Sequence, residues 1–378
     1  MKSQTPVVLL KKPFQLMNKS SYTILLLSVL IVIVPASDGQ LELIHADRSI
    51  GKIVDGKRVR ILTGNVLARQ DTLTMACEQA VFYEEQDRID FIGKVRLNDG
   101  HRVLRARKIR YFTETRLAEC TGNVRISGKT DSLYAEKFIY HFREKIAEGH
   151  NNVFVWDKLN RTRLWGDYGN HNSAQKYTLV KKNARFEHTE TDEGDTLIIT
   201  SSVMEYFGLE PRRAIAIKNV NIRQGELRAQ CDSAVYSISE EQVHLRITPV
   251  AWQDQSEMKG AMIDLMMDSL EVKDILIQEA AELKSLGDSV TMKYNYLRGK
   301  SIHVELANRK PIRITARNNA SSIYILNDQG VNQGTNSASS DSIVIFFTEG
   351  EMDSISIIGG TEGIFYPADY QGEIKGEY

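Results

Sequence analysis

Gly64-Asn65-Val66, Gly93-Lys94-Val95 and Gly122-Asn123-Val124 are near-copies of one phrase, and a looser version, Gly149-His150-Asn151-Asn152-Val153, follows them. Their valines, Val66, Val95, Val124 and Val153, recur at a constant step (95 − 66 = 124 − 95 = 153 − 124 = 29). A period between roughly 20 and 50 residues indicates supersecondary units that bury a core only by lying against their neighbours. The valine step therefore predicts an elongated, repeat-built binding scaffold.

Working outward from those valines, each unit reads as a strand opened by Gly-x-Val, a polar turn, a second strand closing on tyrosine, and another turn. Tyr83, Tyr111 and Tyr140 mark the closing strands at steps of 28 and 29 (111 − 83, 140 − 111). The runs Cys77 to Tyr83, Val103 to Tyr111 and Leu133 to Tyr140 alternate in polarity, as half-buried strands do. Tyr206 and Tyr236, and Val220 and Val250, repeat at 30 (236 − 206, 250 − 220), so the pattern continues past residue 200. The best helical candidates, Glu257 to Met267 and Ile277 to Leu286, are short. The fold class is all-β.

Asp followed by Ser or Thr and an apolar residue recurs at Asp71, Asp131, Asp195, Asp232, Asp268, Asp288, Asp341 and Asp353. Short polar side chains that bond their own backbone favour turns, so these triplets read as turn-into-strand punctuation. Asn327 to Ser340, rich in Asn, Gln, Gly and Ser, reads as a flexible hairpin tip that cannot bury a core. Beyond residue 39 the prolines are Pro211, Pro249, Pro311 and Pro367, which suits a continuous sheet.

The apolar segment Tyr22 to Ala36 follows Lys2, Lys11, Lys12 and Lys19 and precedes the small residues Ala36, Ser37 and Gly39, a secretory signal layout. Residues 1–39 are expected to be cleaved as a signal peptide. Their loss removes four of 48 basic and one of 49 acidic side chains, leaving 44 − 48 = −4. Nucleic acid is not an expected partner. The 3 cysteines, Cys77, Cys120 and Cys231, have no CxxC spacing and build no disulfide framework. The 8 histidines stand singly, without HExxH; no Gly-rich phosphate loop or GxSxG elbow occurs. No metal, cofactor or catalytic group is expected, and the chain does not read as an enzyme. A carbohydrate-acting β-helix ranks last, because Glu84, Glu85 and Asp87 fall in turns.

The densest charge feature is Arg102, Arg105, Arg107, Lys108 and Arg110, of which Arg105 and Arg107 share one strand face. Such a strip reads either as a solvated outer face or as a holder of phosphate or carboxylate head groups.

The Gly-Asn-Val phrase, the tyrosine close, the constant valine step and the export signal together resemble the OstA-like family, the organic-solvent-tolerance and lipopolysaccharide-transport group. The resemblance is clearest from Ile61 to Trp156 and loosens towards the C-terminus. It implies a β-jellyroll or β-taco, two sheets closing on an apolar interior that accepts lipid A acyl chains in the periplasm. It also implies inner- and outer-membrane transport partners and end-to-end self-association. Under that reading Val66, Leu73, Val95, Leu104, Val124, Leu133 and Val153 line the groove, or equally form sealed core, and Arg105 and Arg107 hold head groups. The chain is about twice the length of a minimal bridge of this kind, so two jellyroll segments are expected, 40–190 and 191–378, parted at the polar run from Thr189 to Gly194. The alternative is a ligand-free β-solenoid scaffold.

Overall fold

The computed structural model describes residue 39 and residues 41–375, apart from 55, 84, 192–193, 289–291 and 329–330. The expected signal peptide lies outside the described residues, Gly39 excepted. Residues 40–378 form one compact unit.

Strands in chain order are β1 Glu42–His45, β2 Arg48–Val54, β3 Lys57–Gln70, β4 Leu73–Tyr83, β5 Arg88–Asn98, β6 Val103–Phe112, β7 Leu117–Ser127 and β8 Asp131–His141. They continue as β9 Ile146–Asp157, β10 Thr162–Asn172, β11 Tyr177–Thr189, β12 Thr196–Phe207, β13 Arg213–Gln224, β14 Leu227–Ser237, β15 Gln242–Arg246 and β16 Val250–Gln253. The last are β17 Ser256–Lys259, β18 Met262–Asp268, β19 Glu271–Asp288, β20 Lys293–Ala307, β21 Lys310–Asp328, β22 Val331–Thr348, β23 Glu351–Ile358 and β24 Glu362–Pro367. All pair antiparallel in one 24-stranded sheet. Pairing from β11 into β12 is continuous across the expected segment boundary, from Tyr177↔Phe207 to Thr189↔Thr196.

The repeated phrase marks the middle of a strand and not its start. Gly64 and Asn65 adopt φ of 76° and 45°, and their pairing with β4 skips from Thr63↔Gln79 to Val66↔Cys77, so two residues oppose Glu78. A bulge of this kind bends its strand, and Gly and Asn are the residues that enter the left-handed region at least cost. Equivalent pairs sit at Gly93-Lys94, Gly122-Asn123, Asn151-Asn152, Lys182-Asn183, Lys218-Asn219, Ile247-Thr248, Glu279-Ala280, Asn318-Asn319 and Gly359-Gly360. They form a continuous crease across the sheet. Asp232 and Asp341, expected in turns, stand at this crease facing bulges: Asp232 Oδ1 accepts from the Asn219 backbone N–H at 3.1 Å, and the Asp341 N–H donates to Gly359 O at 2.9 Å.

Contacts across the crease show that the sheet is folded. Tyr111 and Gln70 lie on opposite sides of it, about nine residues apart along a strand path, which in a flat sheet would be roughly 30 Å. Yet Tyr111 Oη donates to Gln70 Oε1 at 2.6 Å. One wall, the tyrosine wall, carries Leu62, Phe91, Ile109 and Tyr111; the other, the leucine wall, carries Leu97, Leu104, Ile126 and Leu133; all face a common core.

Three further expectations are corrected. The helical candidates are strands β17, β18 and the second half of β19, because their alternating side chains face the core with period two. Residues 331–340 are strand and not a flexible tip: β22 pairs with β21 and β24, and buried Thr335, Ala338 and Ser340 are small enough to face the interior. Tyr83 is not the equivalent of Tyr111. Phe82, one full repeat step before Tyr111, packs against the core, while Tyr83 faces out beneath the Arg88 guanidinium at 3.7 Å.

Candidate functional site

The valines of the repeat sit one step inside the crease on the leucine wall, each opposite a small side chain. The pairs are Val66↔Cys77, Val95↔Ala106, Val124↔Ala135 and Val153↔Gly166. Two bulky β-branched residues in register would wedge the walls apart at the fold line; a large and a small one interdigitate. Leu104 and Leu133 flank Ile126 in the next row, and Leu73 lies opposite Gln70 near the rim. All seven side chains expected to line a groove point inward and are buried, from Leu133 at 0% exposed to Leu73 at 5%.

Midway along the sheet this interior is full. A Cβ added at Gly149 would lie 2.7 Å from Phe138, and one at Gly169 would lie 2.6 Å from Val153. Among the described residues the three cysteines are free and buried, and burial pushes the Cys77 thiol up to about 11. No group of three or more His, Cys, Asp or Glu among those residues is arranged to hold a metal.

Opposite the crease, the rim of the tyrosine wall is one continuous row. Tyr111 pairs with Ala118, Ala118 with Tyr140, and Tyr140 with Ala147. The row continues through His171, Thr178, Tyr206, Ala214 and Tyr236. Its polar ends reach across to the leucine wall: Tyr206 Oη donates to Asp157 Oδ2 at 3.1 Å, and Tyr236 Oη lies 2.9 Å from His188 Nδ1. Burial raises the pKa of Tyr111, Tyr206 and Tyr236, and pushes that of Tyr140 up to about 12. Each stays a neutral phenol.

The most charged latch is Asp131, 1% exposed, whose carboxylate lies 2.5 Å from Arg102 Nη2, 3.4 Å from Lys176 Nζ and 3.5 Å from His171 Nε2. Burial alone would raise its pKa; the hydrogen bond from His171 and the charges of Arg102, His171 and Lys176 outweigh it and hold the carboxyl well below the usual range. Burial drives His188 down to about 4, helped by the charge of Arg212. Arg102, read from the sequence as one of a basic strip, is thus a closing element of the interior.

The interior opens at the N-terminal end. A cavity of about 450 Å³ there is lined by Leu41, Leu43, Leu62, Phe82 and Ile89, with Arg60 and Arg88 at its polar edge. Sequence reasoning missed this mouth. Phe82 was legible as the predecessor of Tyr111 by one repeat step; Leu41 and Leu43 carry no repeat signal.

Arg105 and Arg107 share a strand face as expected, but it is the outer one: Leu104 and Ala106, on either side of Arg105, point inward. Lys108 and Arg110 turn to Asp90, at 3.1 and 3.5 Å.

A sheet folded along a crease of bulges, with an apolar interior closed by a rim of tyrosines and open at one end, defines a β-jellyroll-like scaffold. Residues 38–192 match the model of the OstA-like protein family. Among solved structures, the chain is similar to LptH of Pseudomonas aeruginosa, described as the LptA-homologous periplasmic component of the lipopolysaccharide transport device. The identity is 15%, the TM-score 0.30, and the match covers 37% of this chain and 95% of that one. A search of curated proteins gives no match.

Proposed function

We propose that this protein is an exported, periplasmic carrier that shields the acyl chains of lipopolysaccharide or a related amphiphile between two membranes, without covalent chemistry. The observation that carries the reading is the apolar interior of an OstA-like segment opening into the 450 Å³ mouth. Moving acyl surface out of water into such an interior is favourable by roughly 25 cal/mol per Å². Entry would proceed from Leu41, Leu43 and Phe82 towards Leu62, with the groove residues Val66, Leu73, Val95, Leu104, Val124, Leu133 and Val153 reached as the walls part. Arg60 and Arg88 stand where an anionic head group would remain outside. Arg105 and Arg107 serve a head group only if it lies against the outer face, because their side chains leave the sheet opposite Leu104.

End-to-end self-association fits the two ends of the sheet. Among the described residues β1 and β2 pair only with β3 and expose Leu43, Ile44, Ile50 and Ile53, the last at 71%; β23 and β24 pair only with β22 and expose Ile358, Ile364 and Phe365. Uncovered apolar edge strands template pairing with another chain. Inner- and outer-membrane components would cap such a stack.

The tight packing at Gly149 and Gly169 favours a second reading, a ligand-free scaffold with a permanently closed core. Native mass spectrometry with lipid extraction separates the two, using the chain secreted into a Gram-negative periplasm and purified without detergent. Bound lipid A that is lost on Leu62→Asp or Leu133→Asp, with the circular dichroism spectrum kept, supports the carrier. A lipid-free protein, or retention unchanged in both variants, overturns it.

A further inference from the structure

The outer face of the leucine wall is chemically unlike the interior it covers. Between β11 and β16 it is hollowed by a concavity of about 600 Å³ lined by Arg185, Arg223, Arg228, Trp252, Asn221 and Gln230. That volume lies within the range of roughly 300–1,000 Å³ typical of small-molecule sites.

Arg223 and Arg228 are exposed and face each other directly across β13 and β14. Like charges so placed repel and destabilise the strand pair, and neither guanidinium forms an ion pair among the described residues. Two carboxylates near this seat are already engaged: Glu187 is held by Arg185 Nε at 2.9 Å and Nη2 at 2.5 Å, and Glu257 by the Trp252 indole and Lys259. The opposed arginines are therefore a preformed seat for an anion, and guanidinium geometry suits the two oxygens of a phosphate or carboxylate.

Trp252 stands beside the seat, in register with Arg228, its indole N–H fixed to Glu257 Oε2 at 3.0 Å. An anchored, half-buried indole gives a flat apolar surface of the kind that covers the C–H face of a sugar ring. The adjacent row, Thr200, Asn221 and Gln230, is paired in sequence across β12, β13 and β14 and offers hydroxyl and amide groups to sugar hydroxyls. We propose that this concavity binds an anionic saccharide, a sugar carrying a phosphate or carboxylate. The same face continues with Arg96, Arg105 and Arg125 in register across β5, β6 and β7, so a chain of such sugars would meet further cations. The site is separated from the interior by the thickness of the sheet and does not depend on the carrier reading.

Isothermal titration of the exported, purified chain with glucose 1-phosphate, trigalacturonate, glucose and inorganic phosphate tests it. Glucose 1-phosphate or trigalacturonate should bind at least tenfold more tightly than glucose or phosphate alone. Arg223→Ser with Arg228→Ser should weaken that binding at least tenfold, and Trp252→Leu should weaken it while leaving inorganic phosphate unchanged. Both arginines are exposed, so the thermal midpoint should hold. Sugar phosphate and uronate binding no more tightly than phosphate, or affinity unchanged in the arginine variant, overturns the proposal. Equal affinity for polyglutamate or a single-stranded oligonucleotide, lost in the same variant, overturns the saccharide in favour of a general polyanion seat.

Discussion

The stretch from β6 to β14 and the stretch from β18 to β23 are built on the same crease but close differently. In the first, the rim row sets four tyrosines, His171 and Thr178 among alanines and sends tyrosine hydroxyls across to Gln70, Asp157 and His188. In the second, the corresponding row is aliphatic, Leu265, Ile275, Val304, Ile314 and Ile345 in register. A hydrogen bond across the rim fixes the height of both walls, whereas aliphatic contact does not. Strand lengths differ accordingly: β7, β8, β10 and β14 are 11 residues each, but β19, β21 and β22 are 18, 19 and 18. The crease likewise keeps one step from Gly64 to Asn151 (93 − 64 = 122 − 93 = 151 − 122 = 29) and stretches at the far end (318 − 279 = 39, 359 − 318 = 41). The step already lengthens inside the tyrosine-rimmed stretch (182 − 151 = 31, 218 − 182 = 36), so the rim contacts limit strand length without fixing the repeat.

The strongest way to break that contrast is to remove a charged latch. Arg102→Met leaves buried Asp131 with weaker compensation and should cost about 3–5 kcal/mol in urea unfolding. Arg313→Met, whose partner Glu305 is a surface contact in the aliphatic region, should cost under about 1 kcal/mol.

Acid should act on the same region. His188 titrates near 6.5 unfolded and about 4 folded. The unfolded chain binds the proton more readily, so the stabilisation is complete above about pH 6.5 and is lost as pH falls towards 4. The loss amounts to about 3 kcal/mol. Unfolding midpoints measured from pH 7 to 4 should fall, and His188→Gln should flatten the fall.

Packing gives the next contrast. Gly169→Ala pushes a methyl against Val153 and should cost about 1–3 kcal/mol. Gly363→Ala on β24, whose new methyl would have Ser337 O as nearest neighbour at 3.9 Å, should change stability by less than about 0.5 kcal/mol.

Single hydroxyls sharpen the comparison further. Tyr206→Phe leaves Asp157 short of a donor and should cost about 1–2 kcal/mol in chemical denaturation; Tyr324→Phe, half-buried on β21, should be near neutral. One substitution is expected to give a gain. Ile247 is β-branched at φ 64°, and Ile247→Gly should raise the thermal midpoint by the equivalent of about 1 kcal/mol.

The sequence by itself determined the strand periodicity, the repeat unit and the inward direction of Val66, Val95, Val124 and Val153, because alternation and recurrence are local facts of the chain. It also held an unread signal: at one fixed offset behind Val66, Val95 and Val124 come Cys77, Ala106 and Ala135 (77 − 66 = 106 − 95 = 135 − 124 = 11), the small partners at the crease. What it left open was decided by pairing across the chain. Gly-Asn reads equally as a turn or as a bend within a strand, and only the register of β3 on β4 shows that the strand runs through it. Ile247-Thr248 and Glu279-Ala280 bend in the same way with no glycine to announce it, since neighbouring strands impose the conformation. Arg102 and Arg105 look alike in sequence. The fold buries one against Asp131, a full repeat step further along the chain, and turns the other out to solvent, because which face of a strand meets the core is fixed by the opposite wall.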